Sequence, residues 1–304
     1  MDDVQTDKTR ANAELHEASN AQRTTVLRAG TRSLPLRKRT LVMGIVNLSE
    51  DSFSGDGLAD PAAAVERATR FLSAGADILD VGAMSTRPGS MPIPEELEAA
   101  RLAGVISLLR PLTDALISAD SYRPGPAAAA LKAGADIIND VTGLQDARIA
   151  RLAAAHAAAV VVMHIQGTPE TMQLAPTYTD LIGEVRAGLA LGVQTALDAG
   201  VPHESIILDP GVGFGKNIEH NLELLRRLGE LRFFGLPLLV GVSRKGFIGK
   251  ITGREVHDRV EGTAAAVALA IANGADIVRV HDVRSMVAVC RMADAIVRTR
   301  PERE

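Results

Sequence analysis

From residue 41 onward, short runs of Val, Ile and Leu alternate with Ala-rich stretches whose apolar residues recur at helical period. Eight such units follow one another. Strands are predicted to begin near Leu41 (LVMGIVN), Asp77 (DILDVG), Ala115 (ALISAD), Ile137 (IINDV), Val160 (VVVMHI), Ile206 (IILDPG), Leu238 (LLVGVS) and Ile277 (IVRVH). They are spaced by about 34 residues, the size of one βα unit. The apolar runs are continuous rather than alternating, so both faces of each strand are buried, as in a parallel sheet with helices packed outside it. Eight units match a closed (β/α)8 barrel better than an open doubly wound sheet, which usually has five or six strands. The expected fold is α/β, a single-domain TIM barrel over residues 41–304.

A second repeat supports this. Ala-Gly-Ala-Asp occurs at residues 74–77 and 133–136, and Asn-Gly-Ala-Asp at 273–276. Each lies where an Ala-rich helix gives way to a strand, and the glycine is expected to take the left-handed conformation that ends a helix. Residues 1–40 have a different character. The first 22 or so are polar and are expected to form a flexible, mostly disordered leader, followed by a short pre-barrel segment with a solvated basic patch, Arg37-Lys38-Arg39.

Composition narrows the function classes. With 46% hydrophobic residues in 304 and a net charge of -4, the chain as a whole must bury a core. Its single cysteine, Cys290, allows no internal disulfide and suits a reducing compartment, so a cytoplasmic location is expected. No secretory signal pattern is seen, and no apolar run approaches the roughly 20 residues of a membrane-spanning helix. Acidic residues (37) outnumber basic ones (33), which leaves no global basic footprint for nucleic acid. Small molecules are the expected partners.

In barrels of this kind the reacting groups sit at the C-terminal ends of the strands. The polar residues there are Asn47, Asp80, Asp120, Asn139, Asp140, His164, Asp209, Ser243, Arg244, Lys245, Arg279 and His281, with Met163 beside them. Every strand supplies at least one. Any single one is readily a buried polar group tied to a neighbour, but eight strands converging on one mouth form a pocket lined with donors and acceptors. Asp80, Asp120, Asn139, Asp209 and Lys245 together match a flat heterocycle bearing ring nitrogens, an amino group and a carbonyl. Arg279 and His281, two apart on one strand, point the same way and suit an anion. Asn47 is a neutral oxygen ligand suited to a Mg2+ that keeps most of its waters while bridging phosphate oxygens.

The stretch Asp209-Pro-Gly-Val-Gly-Phe-Gly-Lys216 fails the P-loop pattern, because Pro210 replaces the first glycine and Asn217 the Ser or Thr after the lysine. A tight loop bringing backbone and Phe214 against a ligand accounts for it better. Two further polar, glycine-bearing loops follow the first two strands, at residues 49–57 and 83–90, in the place of mobile lids.

The ordered motifs MGIVNLSEDSFSGDG, DVGAMSTRPG, ISADSYRP, IINDVTG, VVMHIQGTP, DPGVGFGK, LVGVSRKGFIG and IVRVHDV resemble those of the dihydropteroate synthase family of pterin-binding enzymes, over about residues 41–297. That resemblance implies condensation of a dihydropterin methyl diphosphate with 4-aminobenzoate in folate biosynthesis, with Mg2+ as cofactor and a homodimeric assembly. It implies a pterin site of Asp80, Asp120, Asn139, Met163, Asp209, Gly213 and Lys245. Asn47, Thr86, Arg279 and His281 would hold the diphosphate, with Asn47 toward the metal. Phe53, Thr86, Arg87, Pro88, Phe214 and Lys245 would surround 4-aminobenzoate. Catalysis would rest on Asn47, Lys245, Arg279 and His281.

Some positions depart from the family pattern. Ser49-Glu50 stands where Thr-Pro is usual, Gly82-Ala83-Met84 where Gly-Gly-Glu is usual, Ser121 where threonine is common, and Gly246 where serine usually follows Ser-Arg-Lys. The changes gather at the 4-aminobenzoate end and are the ground for considering an altered sulfonamide response. Two alternatives share the pterin residues: a pterin-binding methyltransferase, which has no use for a diphosphate grip, and a catalytically silent pterin-binding paralogue.

Overall fold

The computed structural model describes residues 24–48, 60–84 and 92–298. The expected leader falls largely outside these residues, as do most of the two proposed lid loops. The chain enters through an antiparallel hairpin, β1 (Val26–Ala29) and β2 (Arg32–Pro35), within the segment read from sequence only as pre-barrel.

Eight parallel strands then follow: β3 (Leu41–Asn47), β4 (Ile78–Gly82), β5 (Leu116–Asp120), β6 (Ile137–Asp140), β7 (Ala159–Met163), β8 (Ile206–Asp209), β9 (Leu239–Val240) and β10 (Ile277–Val280). Their order is β8-β7-β6-β5-β4-β3-β10-β9. A parallel bridge between Leu208 and Leu238, with Leu208 N–H donating to Pro237 O at 2.9 Å, joins the two ends and closes the barrel. All eight strands lie where the apolar runs place them.

Around the barrel pack α1 (Pro61–Ser73), α2 (Glu95–Leu109), α3 (Pro124–Ala133), α4 (Ala147–Ala155), α5 (Leu181–Asp198), α6 (Ile218–Arg226), α7 (Gly246–Thr252), α8 (Val260–Ala272) and α9 (Val283–Val297). Among the described residues, no helix is long and apolar enough to cross a membrane.

The period of two along a strand divides the core. Leu41, Met43, Ile78, Leu116, Ile137, Ala159, Val161, Ile207, Leu239 and Ile277 form one apolar cluster inside the barrel, which Leu27, Ala29 and Leu36 of the hairpin region join. Val42, Val46, Leu79, Val81, Ile117, Ile138, Val160 and Leu208 belong to the second cluster, shared with the helices. The hairpin thus closes the N-terminal end of the barrel, and the inner face turns from apolar to polar toward the other end. Gly44 lies where α1 crosses close: a Cβ there would meet the Phe71 ring at 2.8 Å.

The repeated glycines Gly75, Gly134 and Gly274 have φ of 101°, 105° and 106°, the left-handed helix stop expected of them. The aspartate that follows each does something the sequence left unread. Asp77 accepts from Val42 N–H at 2.9 Å, Asp136 from Ile117 N–H at 2.9 Å and Asp276 from Leu238 N–H at 3.1 Å, each on a neighbouring strand. An arginine backs each one: Arg39, Arg110 and Arg232.

Candidate active site

The polar end of the barrel encloses a cavity of about 700 Å³. Asn47, Asp120, Asn139, Met163, Asp209, Gly213, Phe214, Lys245, Arg279 and His281 border it. Phe53, Thr86, Arg87 and Pro88 lie outside the described residues. Asp80 does not reach the cavity wall; it is fully buried behind it.

Arg279 organises the floor. Its Nε donates to Asp80 Oδ2 and its Nη2 to Asp120 Oδ2, both at 2.6 Å. Asn139 Nδ2 also donates to Asp80 Oδ2, at 3.3 Å, while Asp80 Oδ1 has no partner among the described residues. A buried carboxylate with one unbonded oxygen depends on its cation, and Asp80 anchors Arg279. Burial pushes the Asp120 carboxyl up to about 7, against the opposing pull of Arg279, with Asp80, Glu98 and Asp140 adding to the rise.

Lys245 and Asp209 face each other across the cavity's other side. Burial brings the Lys245 ammonium down to about 8, opposed by the charge of Asp209. It also raises the Asp209 carboxyl, opposed by the Gly211 N–H that donates to it at 2.7 Å and by Lys245. The Lys245 ammonium sits 4.1 Å from the centre of the Phe214 ring. Ser243, two residues earlier, bonds His281 twice: His281 N–H donates to its Oγ at 3.2 Å, and Nδ1 lies 3.0 Å from the same atom. The wall therefore carries both donors and acceptors.

A family model for pterin binding enzymes matches residues 43–281. The dihydropteroate synthase of Synechocystis sp. is 47% identical over 264 residues, which span 86% of this chain and 91% of that protein. The chain belongs to the pterin-binding enzyme family. Among solved structures, the Yersinia pestis dihydropteroate synthase with a sulfonamide drug superposes with a TM-score of 0.85 at 38% identity, covering 89% of this chain and 98% of that one. The Thermus thermophilus enzyme in complex with 4-aminobenzoate gives 0.80 at 42% identity, covering 89% and 99%.

Not every polar strand end of this pterin-binding enzyme serves the cavity. Asp140 accepts from Thr142 N–H and Oγ1, both at 2.7 Å, and from Leu144 N–H at 3.2 Å, and so caps its own loop. Arg244 is paired with Asp282, Nη2 to Oδ1 at 2.6 Å. His164 bonds Lys216. These three are strand-end polar groups tied to neighbours rather than to the cavity. Conversely, Ile45, Val141, Met172, Gln173, Lys216, Asn221 and Ser243 border the cavity and were not assigned a role. Ile45 carried a usable signal, since it lies two residues before Asn47 on the same face of β3, whereas Ser243 sits in the turn between β9 and α7. Met172 and Gln173 sit in a long loop without periodicity.

Among the described residues, no group of three His, Cys, Asp or Glu side chains is arranged to hold a metal. Asn47 borders the cavity together with Arg279 and His281. A donor set of one amide oxygen suits a cation that takes its other ligands from water and substrate oxygens, which is the habit of Mg2+.

Proposed function

We propose that this chain is a dihydropteroate synthase, joining a (7,8-dihydropterin-6-yl)methyl diphosphate to 4-aminobenzoate with release of pyrophosphate. The observation that carries the reading is the wall itself: Asp120, Asn139, Asp209 and Lys245 surround one cavity with the donors and acceptors a pterin edge requires, in a chain 47% identical to a dihydropteroate synthase.

In this reading Asp120, Asn139, Asp209 and Lys245 hold the ring, with Met163 and Gly213 against its faces. Asn47, Arg279 and His281 hold the diphosphate. The methylene C–O bond breaks with its electron pair leaving on pyrophosphate, the arylamine nitrogen forms the new C–N bond, and its proton passes to solvent. Charge develops on the departing oxygens, so Arg279 and His281 stabilise the transition state more than the ground state. The electron-rich ring spreads the cation left on the methylene, and the carboxylates of Asp120 and Asp209 offset it. Mg2+ held by Asn47, when bound, would add charge neutralisation to the same leaving group. Phe214, under the Lys245 ammonium, forms the inner wall of the arylamine site, a role that the family resemblance also gives to Phe53, Thr86, Arg87 and Pro88, outside the described residues.

The assembly proposed is a homodimer in the cytoplasm. Leu269 on α8 and Met292 and Ile296 on α9 are more than 60% exposed and supply an apolar face for a second copy.

The test is pyrophosphate release by the purified chain. Release that requires the dihydropterin diphosphate, 4-aminobenzoate and Mg2+ together supports the function. Pterin binding without release would favour the silent paralogue, and corrinoid-dependent methyl transfer the methyltransferase.

A further inference from the structure

The loop after β8 is conformationally loose by composition and tightly held in fact. Gly211, Gly213 and Gly215 have φ of 68°, 82° and 60°, a run of left-handed residues that other sequences disfavour. It passes so close to β7 that a Cβ on Gly211 would stand 1.9 Å from His164 O. Three polar side chains from outside grip it. Gln173 Nε2 donates to Gly213 O at 2.8 Å, Tyr178 Oη to Gly215 O at 2.7 Å, and Gly213 N–H donates to Asn221 Oδ1 at 2.6 Å.

The remaining hold comes from within. Lys216 is 2% exposed, and its Nζ lies 3.0 Å from each of three atoms: Gly211 O, Phe214 O and His164 Nδ1. Burial, and after it the charge of Lys216, brings His164 down to about 3, so its ring is neutral and Nδ1 is free to accept. Three acceptors meet three N–H bonds, and only the ammonium form of lysine has three. The charges facing this group are Asp209 and Lys245, and burial brings Lys216 itself down to about 7. The lock is therefore most complete on the acid side of neutrality.

We propose that Lys216 is a positioning residue for the reaction: its tripod of hydrogen bonds fastens the loop after β8 so that Asp209, Gly213 and Phe214 stand in register with Lys245. The carbonyls it holds flank the residues that matter. Gly211 donates to Asp209 through its N–H, and Phe214 lies under the Lys245 ammonium. Loss of the tripod releases the carbonyls at the two ends of the four-residue segment 211–214, leaving Gln173 and Asn221 to hold it through Gly213. The ammonium also adds positive charge that helps keep the buried Asp209 ionised. Although Lys216 borders the cavity, its three N–H bonds are taken by the loop and His164, so it acts through these groups.

The inference rests on the proposed function for its kinetic half and on pterin recognition alone for its binding half. The chain has no tryptophan, so the fluorescence of a bound pterin can be followed directly. The experiment compares the parent, Lys216→Met and Lys216→Arg at pH 6, reading the Kd of 6-hydroxymethylpterin, the KM for 4-aminobenzoate, kcat for pyrophosphate release, and Tm. Charge-assisted hydrogen bonds are worth enough for their loss to cost about tenfold. Lys216→Met is expected to weaken pterin binding and raise the arylamine KM by about tenfold or more each, with Lys216→Arg recovering part of both.

A lowered Tm with Kd and KM within about twofold of the parent would make Lys216 merely structural and overturn the proposal. Should Lys216→Met not fold, His164→Leu, which removes one acceptor and keeps the lysine, is expected to shift the same two constants in the same direction; no shift there overturns it as well. A parent that binds pterin but releases no pyrophosphate would defeat the proposed function and leave the Kd comparison valid.

Discussion

Arg279 and Asp120 meet across the inside of the barrel, Nη2 to Oδ2 at 2.6 Å, although β3 and β4 separate their strands in the sheet. The same guanidinium holds Asp80, so one cation serves two buried carboxylates, and its remaining surface is what a diphosphate can reach. Removing one partner of such a pair leaves uncompensated buried charge. Arg279→Ala is expected to destabilise the fold by about 3–5 kcal/mol and to abolish pyrophosphate release. Urea unfolding and the release assay check the two effects separately, and Arg279→Lys, which lacks the fork, is expected to recover stability before activity.

Asp120 makes stability depend on pH. Its folded carboxyl titrates at about 7, against an ordinary value of 3.8, because burial outweighs Arg279. The folded state holds that proton more tightly than the unfolded state. The resulting stabilisation is complete below the ordinary value and is lost as pH rises through about 7. Asp120→Asn removes this dependence. The Tm of the variant, relative to the parent, is expected to rise between pH 5 and pH 8, while its pterin binding falls.

The ammonium of Lys245 has two neighbours with different roles, Asp209 and the Phe214 ring. Lys245→Met is expected to weaken pterin binding by about tenfold or more, through loss of a charged donor in a buried site. Phe214→Leu keeps that donor and removes only the ring. It is expected to raise the KM for 4-aminobenzoate while leaving the pterin Kd within about threefold of the parent, a split that steady-state kinetics and pterin fluorescence resolve.

At the opposite end of the barrel, Asp136 accepts from Ile117 N–H and pairs with both Arg110 and Arg32. Asp136→Ala removes the acceptor of a strand N–H and the carboxylate partner of two arginines, of which Arg110 keeps the carbonyls of Thr113 and Ala115. A loss of about 3–5 kcal/mol is expected in denaturant unfolding, with pterin affinity unchanged, because the residue lies at the far end from the cavity.

The hairpin is tested the same way. Leu27 is fully buried among the inner apolar residues that include Leu41 and Met43. Leu27→Ala is expected to cost about 2–5 kcal/mol, read as a lower Tm, with kcat retained in the fraction that stays folded.

Much of this architecture was legible in the sequence because it rests on local signals. An apolar run every 34 residues or so marks a strand whatever its partners, and glycine after an Ala-rich helix ends that helix for steric reasons that need no tertiary contact. The hairpin at residues 26–35 carries no comparable signal, because its strands are four residues each and lack the long apolar run of a barrel strand. Its purpose appears only when Leu27 and Ala29 meet the barrel interior. Asp77, Asp136 and Asp276 were similarly visible as a repeat and silent as to use, since the N–H groups they satisfy belong to other strands.

By itself, then, the sequence determined the eight-unit barrel, the end of each strand at which polar residues gather, and the chemical kind of ligand those residues suit. It could not decide which of the gathered residues act together. Arg279 and its carboxylates are 199 and 159 residues apart, and their meeting depends on closure of the barrel and on the stagger of its strands. The packed barrel likewise gives His164 and Arg244 the distant partners Lys216 and Asp282 and sets Asp80 behind the wall, while Asp140 caps its own loop. Periodicity along a strand reports which face a side chain occupies. Only the packed structure, in which each desolvated charge must find its counterpart, decides what it faces.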